Sequence, residues 1–283
     1  MIKETLLKMK AVTYEHDTFV MDESDTIELA QFCHENGIHY FCRKNMERYQ
    51  QARPRVKARS KGGKLNAWLD SFGDGYEFVT FLDADHQPES NYLARVLGYF
   101  GDTRVGFVQA PQIFRNRTEN TIAAGSIGGN AYFVGPIQMG LHGMDAVMVN
   151  GSHSTFRVNA LKNIGLYAVH NADDVLTTIR LYAKKWKGVY VPEILAKGLA
   201  PSSWRDNLLQ QYRWANSVFD LVITKGLFVL KHLSWNQVFA FFFMGLFYLL
   251  QVNFALLLVM PIISVILNQP PANTDLWEFV KRY

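Results

Sequence analysis

From Val238 to Leu267 the chain reads VFAFFFMGLFYLLQVNFALLLVMPIISVIL, thirty residues without a charged side chain. A helix needs about 20 apolar residues to cross the hydrocarbon core of a bilayer, whereas a helix of an ordinary soluble domain averages about 11–12. A bilayer is therefore the expected surrounding of this run. Gln251 and Asn253 interrupt it. Two arrangements follow: one tilted span, or an interfacial aromatic helix up to about Tyr248 followed by a span to Leu267, and the second is the one expected here. Pro261 is compatible with either, because neighbouring groups in a membrane can satisfy the carbonyl it frees.

Upstream the pattern changes. Strand-like runs stand at DTFVMD (17–22), GIHYFCR (37–43), FVTFLD (78–83), VGFVQA (105–110) and GVYVPE (188–193), with helix-like stretches such as 26–37 and 91–100 between several of them. This alternation predicts an α/β domain with a mainly parallel sheet covered by helices. In such sheets ligands bind beyond the carboxyl ends of the strands. The balance of 29 basic against 25 acidic residues leaves +4, too mild to imply a nucleic-acid partner. The two cysteines, Cys33 and Cys42, lack metal-ligand spacing and are expected to be reduced thiols. No signal-peptide pattern opens the chain, since MIKETLLKMK has no apolar core.

Two of the strands finish in acid, FVMDESD at 19–25 and FLDADH at 81–86. Clustered carboxylates raise one another's pKa unless a cation sits between them. Asp83 and Asp85, two apart after a strand, can both turn toward one divalent ion, and Mg²⁺ or Mn²⁺ held this way keeps positions open for substrate phosphates. His86 is a further candidate ligand or a donor to a phosphate. A solvated Asx turn is the competing reading of the same residues. The basic segment RPRVKARSKGGK (53–64) suits a diphosphate, although such a run also suits solvent or anionic lipid. Asp173 or Asp174 in NADDVLTTIRL can cap the helix that follows, and QQYRW in isolation reads equally well as an ordinary helix packing its aromatics.

FVMDESD, SKGGKLNAWL, FVTFLDADHQP, FVQAPQIF, NGSHSTFR, ADDVLTTIRL, KGLAP and QQYRW nevertheless stand in the order and rough spacing of one group of enzymes. Over residues 17–217 the chain resembles the membrane-embedded, processive family-2 glycosyltransferases, the cellulose synthase-like enzymes. The resemblance implies a GT-A-type nucleotide-sugar-binding domain with its first strand missing at 1–201, Q-x-x-R-W and amphipathic interface helices at 202–236, membrane segments at 237–268 and a polar tail at 269–283. It implies an inverting transferase that moves a sugar from a UDP-sugar, UDP-glucose first among them, to a growing polysaccharide at the cytoplasmic face of the cell membrane. A full-length protein would cross that membrane several times.

Carried over residue by residue, Asp22 would touch the uracil end, with Glu23 where many relatives have a second aspartate. Lys61 would cradle the diphosphate. Asp83 would serve nucleotide and metal, Asp85 and His86 the metal, and Asp174 would be the general base. Arg213 would close on the diphosphate, and Gln210 and Trp214 on the acceptor. Two departures stand out: ADD replaces T-E-D, and NGSHSTFR lacks the cysteine and aromatics of bacterial cellulose synthases. Relative to the family pattern the chain begins just before the second strand, so it is expected to be a fragment. A non-processive transferase acting on a lipid carrier, and a non-catalytic membrane adaptor, remain the alternatives.

Overall fold

The computed structural model describes residues 1–49, 57–269 and 277. Helix α1 (Ile2–Lys10) precedes a short βαβ unit: β1 (Phe19–Asp22), α2 (Ile27–Glu35) and β2 (His39–Cys42), whose two strands pair in parallel. Leu6, Val20, Leu29, Cys33 and Ile38 form the small core between them. Cys33 and Cys42 are both free, as expected.

Helix α3 (Lys61–Phe72) then leads into β3 (Phe78–Phe81). The chain continues through β4 (Gln87–Pro88), α4 (Tyr92–Val96), β5 (Val105–Gln109) and β6 (Ile113–Phe114). Helix α5 (Thr121–Tyr132) passes through a π-helical turn at Phe133–Ile137 into α6 (Gln138–Gly143). Pro136 lies in that turn and cannot supply an amide to a regular ladder. There follow β7 (Ser154–Arg157), α7 (Val158–Asn163), α8 (Asp173–Ala183), β8 (Lys187–Tyr190) and β9 (Ala196–Gly198).

The main sheet has the order β3-β7-β5-β8. It is mixed, which corrects the expectation of a mainly parallel sheet: β7 runs antiparallel to both β3 and β5, and only β5 and β8 are parallel. The physical reason lies in β7 itself. Its Ser154 and Thr155 are buried polar residues, and Thr155 shares a 2.8 Å hydroxyl hydrogen bond with Thr80 across the ladder. A strand that buries hydroxyls against hydroxyls carries no apolar signature. All five strands expected from the sequence are present. A third sheet has the order β4-β9-β6.

Two larger cores lie on either side of α8. Leu181 and Tyr182 belong to the core between the sheet and α3, with Leu65, Trp68, Phe107 and Phe156. Val175, Leu176 and Ile179 belong to a helical core shared with α9 (Trp204–His232) and α10 (Trp235–Leu267), through Leu221, Val229, Val238 and Phe241. The first half of α8 is thus held by the helical core and its last turn by the sheet core.

Ser203 caps α9, and a capping box of Ser234 with Gln237 starts α10. The expected change of element near Tyr248 does not occur, because α10 is one unbroken helix of 33 residues. Gln251 and Asn253 leave the backbone ladder intact, and uncharged polar residues have no reason to end a helix when their backbone groups are satisfied within it. Its first turns are buried in the helical core, whereas nearly every described side chain from Leu249 to Leu267 is exposed. This helix is long and apolar enough to cross a membrane.

Candidate active site

Beyond the carboxyl end of β3 the chain turns tightly, the His86 N–H donating to Asp83 O at 2.9 Å. Lys61, the first residue of α3, reaches across to the same loop. Its ammonium donates to Asp83 Oδ1 (2.6 Å) and to the Gly151 carbonyl (2.5 Å). Lys61 is brought there because Ser60 caps α3, accepting from the Gly63 N–H at 3.2 Å, so the helix begins at the site. Burial alone would raise the Asp83 carboxyl, but the Lys61 charge and hydrogen bond hold it below its ordinary range.

Gly151 is the hub. It has φ +76°, and a Cβ built there would lie 3.4 Å from Asp174 Oδ2 and 3.8 Å from Lys61 Nζ. A glycine therefore lets the loop take a left-handed turn between the ammonium and the second acid. Asp173 and Asp174 open α8, which has Ala172 rather than an acid at its N-cap. Asp173 Oδ1 accepts from the Asp174 N–H at 3.0 Å and Asp174 Oδ1 from the Val175 N–H at 2.8 Å. Asp174 Oδ2 is the oxygen left facing Gly151. Burial, then the charge of Asp174, pushes Asp173 up to about 7, and burial raises Asp174 as well. Lys61 opposes both shifts.

The loop that holds Gly151 is fixed from beneath by Gln109, at the end of β5. Its amide nitrogen faces Ala110 O, Ser152 O and His153 O, and its Oε1 accepts from the Asn150 N–H at 3.0 Å. Gln109 and Ser152 are site residues that the sequence alone does not assign. Both stand inside motif segments, FVQAPQIF and NGSHSTFR, yet they act across some forty to seventy residues, a reach no local spacing reports.

His86, the third expected ligand, is enclosed by protein groups. Its ring is buried, with Nδ1 3.0 Å from Ser152 Oγ and Nε2 3.7 Å from Asp85 Oδ2, and burial lowers its pKa. Both ring nitrogens face protein, so of the three expected metal ligands only the carboxylates offer spare oxygens. Asp85 Oδ2 accepts from the Leu199 N–H at 3.0 Å, which leaves Oδ1, and Lys61 occupies Asp83 Oδ1, which leaves Oδ2. Among the described residues no group of three or more His, Cys, Asp or Glu is gathered to hold an ion unaided. Two hard oxygens on one loop fit a divalent cation whose remaining ligands come from a diphosphate and water.

Asp22 and Glu23 form a neighbouring cluster at the end of β1. Although burial would raise it, hydrogen bonds from Ser24, Tyr40 and Thr26 hold the Asp22 carboxyl well below its usual range. Glu23 pairs with the fully buried Arg43, which also donates to Lys57 O at 3.0 Å, and Ser60 Oγ donates to the same carbonyl at 2.6 Å. That chain of contacts ties β1 to the start of α3 and hence to Lys61. Arg53 and Arg55 of the basic segment lie outside the described residues, as does the tail beyond residue 269 apart from Trp277.

Gln210, Arg213 and Trp214 lie on α9. Gln210 and Arg213 line a groove of about 610 Å³ together with Leu199, Pro201, Leu209 and Tyr212. The groove starts beside Asp85, whose carboxylate holds Leu199. Tyr212 is largely exposed there, while Trp214 is half-buried and turned out of the lining.

The strand-end acids, the lysine at a helix start and the mixed sheet define a GT-A-like glycosyltransferase fold. In agreement, the mannosyltransferase PcManGT from Pyrobaculum calidifontis, solved with GDP-Man and Mn²⁺, is similar over 93% of this chain and 76% of its own, with a TM-score of 0.58 at 14% identity. Residues 78–270 match the family described as Glycosyl transferase family group 2, and the chain belongs to that family. Among its curated relatives, a UDP-forming cellulose synthase catalytic chain of Dictyostelium discoideum is 31% identical over 185 residues, covering 63% of this chain and 17% of that protein. The UDP-forming cellulose synthase catalytic chain of Xanthomonas axonopodis pv. citri is 27% identical over 238 residues, 80% of this chain and 31% of that protein. The present chain thus spans a third or less of the length of these relatives.

Proposed function

We propose that this chain carries the catalytic centre of an inverting glycosyltransferase that moves a sugar from a UDP-sugar, UDP-glucose first, to a growing β-glucan at the cytoplasmic membrane surface. The observation that carries this reading is the convergence of Asp83, Lys61 and Asp174 around Gly151. Asp174 is the general base. The acceptor hydroxyl gives its proton to Asp174 Oδ2 as its oxygen bonds to the anomeric carbon, and the bond from that carbon to the diphosphate breaks on the opposite face. UDP leaves with the electron pair.

Asp83 Oδ2 and Asp85 Oδ1 would hold Mg²⁺ or Mn²⁺, which when bound neutralises charge gathering on the departing diphosphate. Lys61 and Arg213 add fixed positive charge on the same side. Asp22 and Glu23 serve the nucleoside end, directly or by setting the start of α3. The groove of Gln210 and Arg213 receives the acceptor, with Trp214 on the same helix. Helix α10 supports a membrane setting: about 24 residues follow Phe243, roughly 36 Å of helix, enough for one crossing. Tests are direct. Membranes carrying the full-length protein should release UDP from UDP-glucose or UDP-N-acetylglucosamine, lose this with EDTA, and yield a product cut by linkage-specific glucanases. Failure to turn over any sugar nucleotide would overturn the reading.

A further inference from the structure

The loop of Asp83 and Asp85 is joined to the loop of Gly151 by a hydrogen-bonded chain whose direction follows from its chemistry. The Asp83 N–H donates to Ser152 Oγ at 3.1 Å. The hydroxyl then has one proton to give, and its other neighbour is His86 Nδ1 at 3.0 Å. Were Nδ1 to carry the ring proton, the hydroxyl proton would lack an acceptor and a bare Nε2 would face the Asp85 carboxylate, 3.7 Å away. With the proton on Nε2, the hydroxyl donates to Nδ1 and the ring N–H points at Asp85.

The surroundings hold this arrangement in place. Ser152 is 0% and His86 2% exposed. On one side Gly198 admits the imidazole, since a Cβ there would lie 2.1 Å from Nε2. On another the ring of His153 meets it edge to face with centroids 4.7 Å apart, and His153 is itself fixed by donating Nδ1–H to Pro111 O at 2.9 Å.

We propose that Ser152 and His86 are positioning residues for the cation-binding carboxylates. Ser152 selects the His86 tautomer, His86 turns Asp85 Oδ2 inward beside the Leu199 amide, and Oδ1 is thereby presented beside Asp83. The proposal rests on the reading of Asp83 and Asp85 as holding a divalent cation with UDP. Outer partners of metal ligands are typically worth about 10–100-fold in metal affinity.

The decisive measurement is Mn²⁺ binding to the purified full chain with saturating UDP, followed by the electron paramagnetic resonance of free Mn²⁺. Ser152→Ala is expected to weaken binding by about 10-fold or more, and UDP release lost at low Mn²⁺ should return as Mn²⁺ is raised. His86→Gln, whose amide N–H still reaches toward Asp85, should bind Mn²⁺ more tightly than His86→Leu. Thermal unfolding without the ion checks that each variant is folded. A Ser152→Ala protein that titrates like the parent, or Gln and Leu variants that bind alike, overturns the positioning role while leaving the transferase reading intact. A parent that binds no Mn²⁺ with UDP overturns both.

Discussion

Asp83 and Asp85 follow the end of a strand, and Asp173 and Asp174 open a helix, yet both pairs gather near the glycine at 151. In the first pair, a lysine ammonium on Asp83 favours the ionised form and that carboxyl titrates below its ordinary value, while Asp85 accepts from a backbone amide. Around the second, burial favours the neutral form of both acids, and with the charge of Asp174 beside it Asp173 rises to about 7. Identical side chains thus acquire different chemistry from their settings. Asp83 stays charged over the whole physiological range, and the strand-end pair suits a cation. The helix pair, with its raised values, matches the proton-accepting role proposed for Asp174.

The largest effect should come from separating these roles. Asp174→Asn keeps the shape of the first turn of α8 and removes the proposed proton acceptor, so kcat should fall by about 10²–10⁴, while UDP binding, measured calorimetrically with Mn²⁺, stays close to the parent. If Asp83→Asn loses UDP binding and Asp174→Asn loses only turnover, the division holds. An Asp174→Asn protein with full turnover breaks it.

Lys61 is the group both pairs share, and its removal should show this in one titration. Lys61→Met is expected to lower kcat by roughly 10²–10³, the usual scale for deleting one fixed charge beside a developing anion. The acid limb of the pH–rate profile should also move to higher pH, because the Lys61 charge lowers both Asp173 and Asp174. A fall in rate with an unmoved limb would mean that Lys61 serves the diphosphate alone.

The strand-end pair is legible in the sequence because an apolar run stopping on Asp83 and Asp85 is a local pattern. Asp174 is legible too, through the order of motifs around it. Gln109, Ser152 and β7 are not, because their partners are distant in the chain and their polar atoms are buried against other polar atoms. The same non-locality explains His86. Next to two aspartates it reads as a ligand, whereas the fold sets its Nδ1 against Ser152 and its Nε2 between Asp85 and the space left by Gly198. The sequence points to Trp214, whereas Tyr212 lines the groove, since helical phase and not residue type decides which aromatic faces it. Helix α10 is plainly apolar in the sequence, but its expected division fails because polar side chains at Gln251 and Asn253 do not amount to a backbone break.

The smallest expected effect concerns stability. Asp173 has an unfolded-state pKa near 3.9 and a folded-state value of about 7. Between those values the native protein binds more protons than the unfolded chain, so stability falls as pH rises through that window and levels off above it. Solvent reaching the half-buried pair keeps the effect to about 1 kcal/mol, or roughly 2–4 °C in Tm. Asp173→Asn cannot lose a proton. Without cation or nucleotide its Tm at pH 8 should therefore exceed the parent's, while at pH 4 the two should coincide. If the parent and the variant lose stability in parallel from pH 4 to 8, the raised Asp173 is not the source, and the contrast between the two aspartate pairs would have to rest on geometry alone.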